Sequence, residues 1–118
     1  MRKESELVDH LKFLGLNEGE AKIYVYLVQN GSSNVDDMLS RFKIKGKSAV
    51  ESLISKGVII KDPSSSSKVI PLHPRNAAAN LYKLEQEKAI DELREKRKIA
   101  DRLGMVLESA FEKSQLNR

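Results

Sequence analysis

After Pro74 the chain contains no further proline and a single glycine, Gly104. His73-Pro74 has the form of a helix cap with proline at the first helical position, where its missing N–H is no loss. One long helix is therefore expected to fill the C-terminal part of the chain. Within it Tyr82, Gln86, Ala89, Leu93, Lys96, Ala100, Leu103, Leu107 and Ala110 alternate four and three apart, and Ile90, Ile99, Val106 and Phe111 widen that seam. A helix of about 40 residues rises about 60 Å at ~1.5 Å per residue, more than a small globular core can cover. Its apolar seam needs a partner. The simplest partner is the same helix of a second copy, in a coiled-coil-like homodimer with Tyr82, Ala89, Leu93, Ala100, Leu103, Leu107 and Ala110 as dimerisation residues. Folding back onto its own domain is the alternative. Lys96 and the charged run around it weaken the middle of the seam, and Gly104 costs up to ~1 kcal/mol against alanine.

The residues before Pro74 are punctuated differently, by glycines at the ends of short amphipathic stretches. Leu7, Val8, Leu11 and Leu14 share one helical face, which Gly15 ends. Asn17 and Glu20 form a capping-box start for a second helix that carries Ile23-Tyr24-Val25-Tyr26-Leu27-Val28 and stops at Gly31. Apolar on nearly all sides, this helix should be central. Asn34, or Ser33, caps a third helix with Val35, Met38, Leu39 and Phe42 inward and Asp36 and Asp37 in its first turn, where the helix dipole favours acids. A tight turn, Lys43 to Gly46, leads to a fourth helix with Ala49, Val50, Leu53 and Ile54 inward and Lys47, Ser48, Glu51, Ser52 and Ser55 outward, closed by Gly57. Val58 to Ile60 and Val69 to Leu72 read as two strands around an Asp-Pro-serine turn. The order predicts a mainly α fold with a small β-hairpin: a winged helix-turn-helix over 1–73 followed by a long dimerisation helix over 74–118.

Charge points to what such a fold would hold. Residues 41–68 carry seven Lys or Arg against Glu51 and Asp62, a net of +5, within a chain whose total is +4. Positive charge focused on a recognition helix and wing suits a phosphate backbone, because each neutralised phosphate releases condensed counterions. A solvated lysine-rich face is the alternative that charge alone leaves open. Aromatic residues make up 5% of the chain, too few to stack a single strand, so double-stranded DNA is the expected nucleic acid. The candidate DNA-binding residues are Lys43, Lys45, Lys47, Ser48, Ser52 and Ser55 on the turn and fourth helix, and Lys61, Ser65, Ser66 and Lys68 on the wing. Glu51 counts against them, since an outward acid near phosphates is unfavourable unless it accepts from a cytosine amino group.

These residues also carry a family resemblance. Leu14-Gly15-Leu16-Asn17-Glu18-Gly19-Glu20-Ala21-Lys22-Ile23-Tyr24 resembles the signature that opens the winged-helix domain of archaeal TrmB-type transcriptional regulators. Leu53-Ile54-Ser55-Lys56-Gly57-Val58-Ile59 is similar to the family's end of the recognition helix, and Leu72-His73-Pro74 to its return from the wing into a long helix. The resemblance implies promoter binding as a dimer, with the fourth helix in the major groove and the wing against phosphates. Counted back from Gly57, the turn and recognition helix are about one helical turn shorter than the family pattern. Larger members carry a C-terminal sugar-binding domain, whereas this sequence stops after the long helix, so no sugar effector is expected. A winged helix that docks a protein partner and no longer reads DNA is the rival reading.

Other chemistries find little support. No cysteine occurs, which excludes disulfides, thiolate metal sites and a cysteine nucleophile. His10 and His73 lie far apart, the serines at 64–67 have no glycine elbow, and the six glycines are scattered as helix punctuation. No enzyme activity, cofactor or metal is expected. The longest apolar run, Ile23 to Val28, is far short of the ~20 residues a membrane helix needs, and the N-terminus lacks an apolar signal region. A cytoplasmic protein without membrane association is the expectation.

Overall fold

The computed structural model describes residues 4–116, so the outermost residues of both expected domains, 1–3 and 117–118, lie outside the described residues. Its elements are α1 (Glu4–Phe13), α2 (Glu18–Asn30), β1 (Ser33–Asn34), α3 (Val35–Arg41), α4 (Ser48–Ser55), β2 (Ile59–Lys61), β3 (Lys68–Pro71) and α5 (Pro74–Leu116). The fold is mainly α, a winged helix-turn-helix with a small antiparallel sheet and a long C-terminal helix. The chain divides into two compact units, 1–85 and 86–118. Helix α5 begins at the 73/74 boundary read from the sequence, yet its first turns belong to the winged-helix unit, where Ala77 and Leu81 are fully buried.

The capping signals act as their chemistry requires. The Asn17 side chain accepts from the Glu20 amide and the Glu20 carboxylate accepts from the Asn17 amide, each at 2.8 Å, which satisfies two orphan donors of α2. Asn34 accepts from the Asp37 amide at the start of α3. Nδ1 of His73 accepts from the Arg75 amide at 3.1 Å, completing the start that Pro74 sets up for α5. Between these ends α2 buries Ile23, Tyr24, Val25 and Leu27, as expected of a central helix, while Leu53, Met38 and Val69 close on it from other elements. The Tyr24 hydroxyl donates to the Leu72 carbonyl at 3.0 Å, joining α2 to the chain that leaves the sheet.

The sheet contains one strand the sequence did not announce. Its order is β1-β3-β2, all antiparallel, with Ser33 opposite Val69 and Ile60 opposite Ile70. Strand β1 is two residues long, too short for an alternating pattern to reveal. The hairpin itself sits one residue away from expectation at both strands, Ile59–Lys61 and Lys68–Pro71.

Three helices end on the same motif. The amide five residues along bonds back to a last-turn carbonyl in Leu16 to Leu11, Ile44 to Leu39 and Val58 to Leu53, a Schellman closure that places one residue at positive φ. Gly15 (φ 110°) and Gly57 (φ 76°) occupy that position after α1 and α4, but after α3 it is Lys43 (φ 55°). A β-carbon there costs about 1 kcal/mol or more. Lys43→Gly is therefore expected to stabilise the fold by about 0.5–1 kcal/mol in urea denaturation, the glycine's own chain entropy offsetting part of the relief.

Candidate nucleic-acid interface

The turn and α4 are held from beneath by one buried charge. Glu20, almost without solvent exposure, sits where α2 meets the C-terminal end of α4. Lys56 Nζ donates to its Oε1 at 3.0 Å and Oε2 at 3.3 Å, and to the Gly15 carbonyl at 3.2 Å. Ser52 lies beside this carboxylate and helps to lower its pKa. Burial pushes the Glu20 carboxyl up, but the Asn17 amide, Ser52 and Lys56 together more than offset that and hold it below the usual carboxylate range.

Two expectations change as a result. Ser52 does not face outward: it is half-buried beside Glu20, so it is withdrawn from the groove-facing set. Lys56, counted in the basic focus, is spent inside the fold as the counter-ion of Glu20. Arg41 is also engaged, its guanidinium 5.1 Å from the ring centre of Tyr26, which in turn meets Phe42 edge-on at 5.6 Å. Of the seven basic residues at 41–68, the remaining five, Lys43, Lys45, Lys47, Lys61 and Lys68, are all exposed.

A groove of about 270 Å³ brings several of them together. Asp36 of α3, Lys47 and Glu51 at the start of α4, and Lys61, Ser66 and Lys68 of the wing line it over an apolar floor. Lys47 is the N-cap residue of α4, and its exposed side chain lines the groove. Glu51 is exposed in the same groove, as its outward expectation required. Lys43, Lys45, Ser48 and Ser55 are exposed outside it. Ser65 is half-buried, its hydroxyl 3.2 Å from that of Ser67, so it serves the turn more than the surface. Asp36 and Ser67 were not among the candidates, and only the fold brings them here.

The wing tip is braced from within. Asp62 accepts from the Ser64 amide and hydroxyl at 2.9 and 2.7 Å and from the Ser32 hydroxyl at 2.8 Å, and these bonds lower its pKa. The Val35 amide donates to the Ser67 carbonyl at 2.9 Å, fixing the far side of the turn to α3. Cations carried by a helix start and two strands around one groove can meet successive phosphates of a duplex, a role that demands no catalytic group. Among the described residues no group of His, Asp or Glu could hold a metal ion, and no helix is long and apolar enough to cross a membrane.

Along residues 86–116 every residue is exposed, including the dimerisation candidates Ala89, Leu93, Ala100, Leu103, Leu107 and Ala110; Tyr82, in the winged-helix unit, is 64% exposed. Helix α5 runs unbroken through Gly104.

Comparison with known proteins agrees with this architecture. The family profile described as "Sugar-specific transcriptional regulator TrmB" matches residues 11–75. A solved structure of TrmBL2, an archaeal chromatin protein reported with a novel mode of DNA binding, is similar with a TM-score of 0.70 and 27% identity over 87% of this chain. The match spans 41% of that protein's length. Among curated protein sequences, none matches this chain.

Proposed function

The chain belongs to the TrmB family, and on that premise we propose that it is a dimeric, DNA-binding transcription regulator that grips duplex DNA with the turn, the recognition helix α4 and the wing. The observation that carries this reading is the convergence of Lys47, Lys61 and Lys68 on one groove, from a helix start and two strands of the wing. Lys43, Lys45, Ser48 and Ser55 extend the surface around it. The similar archaeal chromatin protein binds DNA, which supports the same role here. With Ser52 turned inward and α4 only eight residues long, backbone contacts carry more of the grip than base readout. Dimerisation through the exposed seam of α5 supplies two such surfaces.

Mobility shifts on genomic duplex fragments at near-physiological salt test the first part. Binding at micromolar protein or below is the expected result, and none at that concentration favours a winged helix that docks a protein partner. Light scattering tests the second: a mass twice the 13.3 kDa of the chain is expected, and a monomer mass at high concentration removes the dimer.

A further inference from the structure

Resting on the reading of α5 as the dimer helix, we propose that two copies pair antiparallel over residues 89–114, with the two-fold axis between Asp101 and Arg102. The exposed apolar side chains of residues 86–116 call for a cover: Leu93, Leu103, Leu107, Ile99, Val106 and Phe111 are each more than half exposed. Their order along the helix says which way a second copy lies.

The central positions, spaced four and three, are Ala89, Leu93, Lys96, Ala100, Leu103, Leu107 and Ala110. Parallel pairing in register stacks each on itself. Alanine then meets alanine in three layers and leucine meets leucine in three others, so one helix spacing cannot fill both, and Lys96 faces Lys96 across the core. Antiparallel pairing about the 101/102 axis separates the two Lys96 residues and mixes large with small in the four layers built from Leu93, Ala100, Leu103 and Ala110. Ala100 packs on the partner's Leu103 and Leu93 on the partner's Ala110, so the large side chain of one copy fills the space left by the small one of the other. Lys96 lies beside the partner's Leu107, where its stem adds apolar surface and its ammonium reaches water.

The flanking positions agree in the same register. Ile99 meets the partner's Val106 and Ile90 the partner's Phe111, while Glu92 meets the partner's Lys113 with opposite charge. Arg97 lies opposite Gly104, the one residue on the helix without a side chain to obstruct it. Sliding one heptad in either direction spoils this pattern. One slide sets Arg97 against Arg97 and Glu92 against Val106, and the other sets Ile99 against Lys113. The paired segment spans about 39 Å of each helix at ~1.5 Å per residue.

The absence of cysteine makes the arrangement testable by disulfide mapping. Leu93→Cys and Ala110→Cys are made singly, and each is oxidised alone and after mixing and re-equilibration. The expected result is a disulfide-linked pair in the mixture only. Each variant linking to itself means a parallel pair and overturns the proposal, and a dimeric mass with no link in the mixture overturns the register. A mass near 13.3 kDa for the unmodified chain removes the dimer reading itself, and the pairing with it. Because cutting back Leu93 could loosen the dimer, a charge swap gives a second measurement. Glu92→Lys should raise the dimer dissociation constant about threefold to tenfold, and adding Lys113→Glu should restore it. No restoration overturns the antiparallel assignment, since a parallel pair keeps these two residues apart.

Discussion

Lys56→Ala is expected to lower the free energy of unfolding by about 2–4 kcal/mol, as much as the loss of a buried core side chain. The substitution leaves the Glu20 carboxylate buried beside Ser52 with its Asn17 donor but without a counter-ion, and the Gly15 carbonyl without its donor. Urea denaturation measures it, and a loss below about 0.5 kcal/mol would mean the pair behaves as a solvent-screened surface bridge. The double variant Glu20→Gln with Lys56→Met should recover most of the loss, because it removes both charges together. Acid provides an independent view. The folded-state pKa of Glu20 lies below its ordinary value of 4.5, so its contribution is fully present above that value and is lost as pH falls through the folded pKa. Melting temperatures followed from neutral pH to pH 3 should drop, and Glu20→Gln should flatten that part of the drop.

Replacing Lys47, Lys61 and Lys68 together by alanine should leave the fold intact and weaken duplex binding about a thousandfold near 0.1 M salt. Each phosphate contact contributes about 0.9 to the slope of log affinity against log salt, so the slope should fall by about 3. The two measurements must move together. A large affinity loss at unchanged slope would mean these lysines act on bases or on the fold, and no change in either would remove this groove as the contact surface. Circular dichroism separates this variant from Lys56→Ala, which is expected to weaken the scaffold instead.

Much of the architecture was legible because it is written in local chemistry. Asn17 with Glu20, Asn34 before two aspartates, and His73-Pro74 each place a donor or acceptor within three residues of the group it satisfies, and each sits where its spacing predicts. What escaped notice depends on distance along the chain. Glu20 and Lys56 are 36 residues apart, so their pairing exists only once α2 and α4 cross, and Ser52 follows them inward. Strand β1 forms because Ser33 and Asn34 meet Val69 and Lys68, not because two residues announce a strand. Lys43 hid a left-handed position that sequence rules reserve for glycine. The basic focus was real as composition, but Lys56 is held inside the fold by Glu20 and Arg41, though exposed, lies over the Tyr26 ring, so charge counting overstated the freely presented cations.

Strand β1 also bears on how quickly and tightly a duplex could be held. A hairpin standing alone would swing, and freezing it on a phosphate backbone would take ordering entropy out of every encounter. Here the central strand of the wing is bonded on both sides, to β2 and to β1, and β1 runs directly into the cap of α3. The positions of Lys61 and Lys68 relative to the helix-turn-helix are thus settled at folding. Substitutions that loosen Ser33 or Asn34 should therefore appear as slower productive capture and faster release of DNA, from residues that touch no nucleotide.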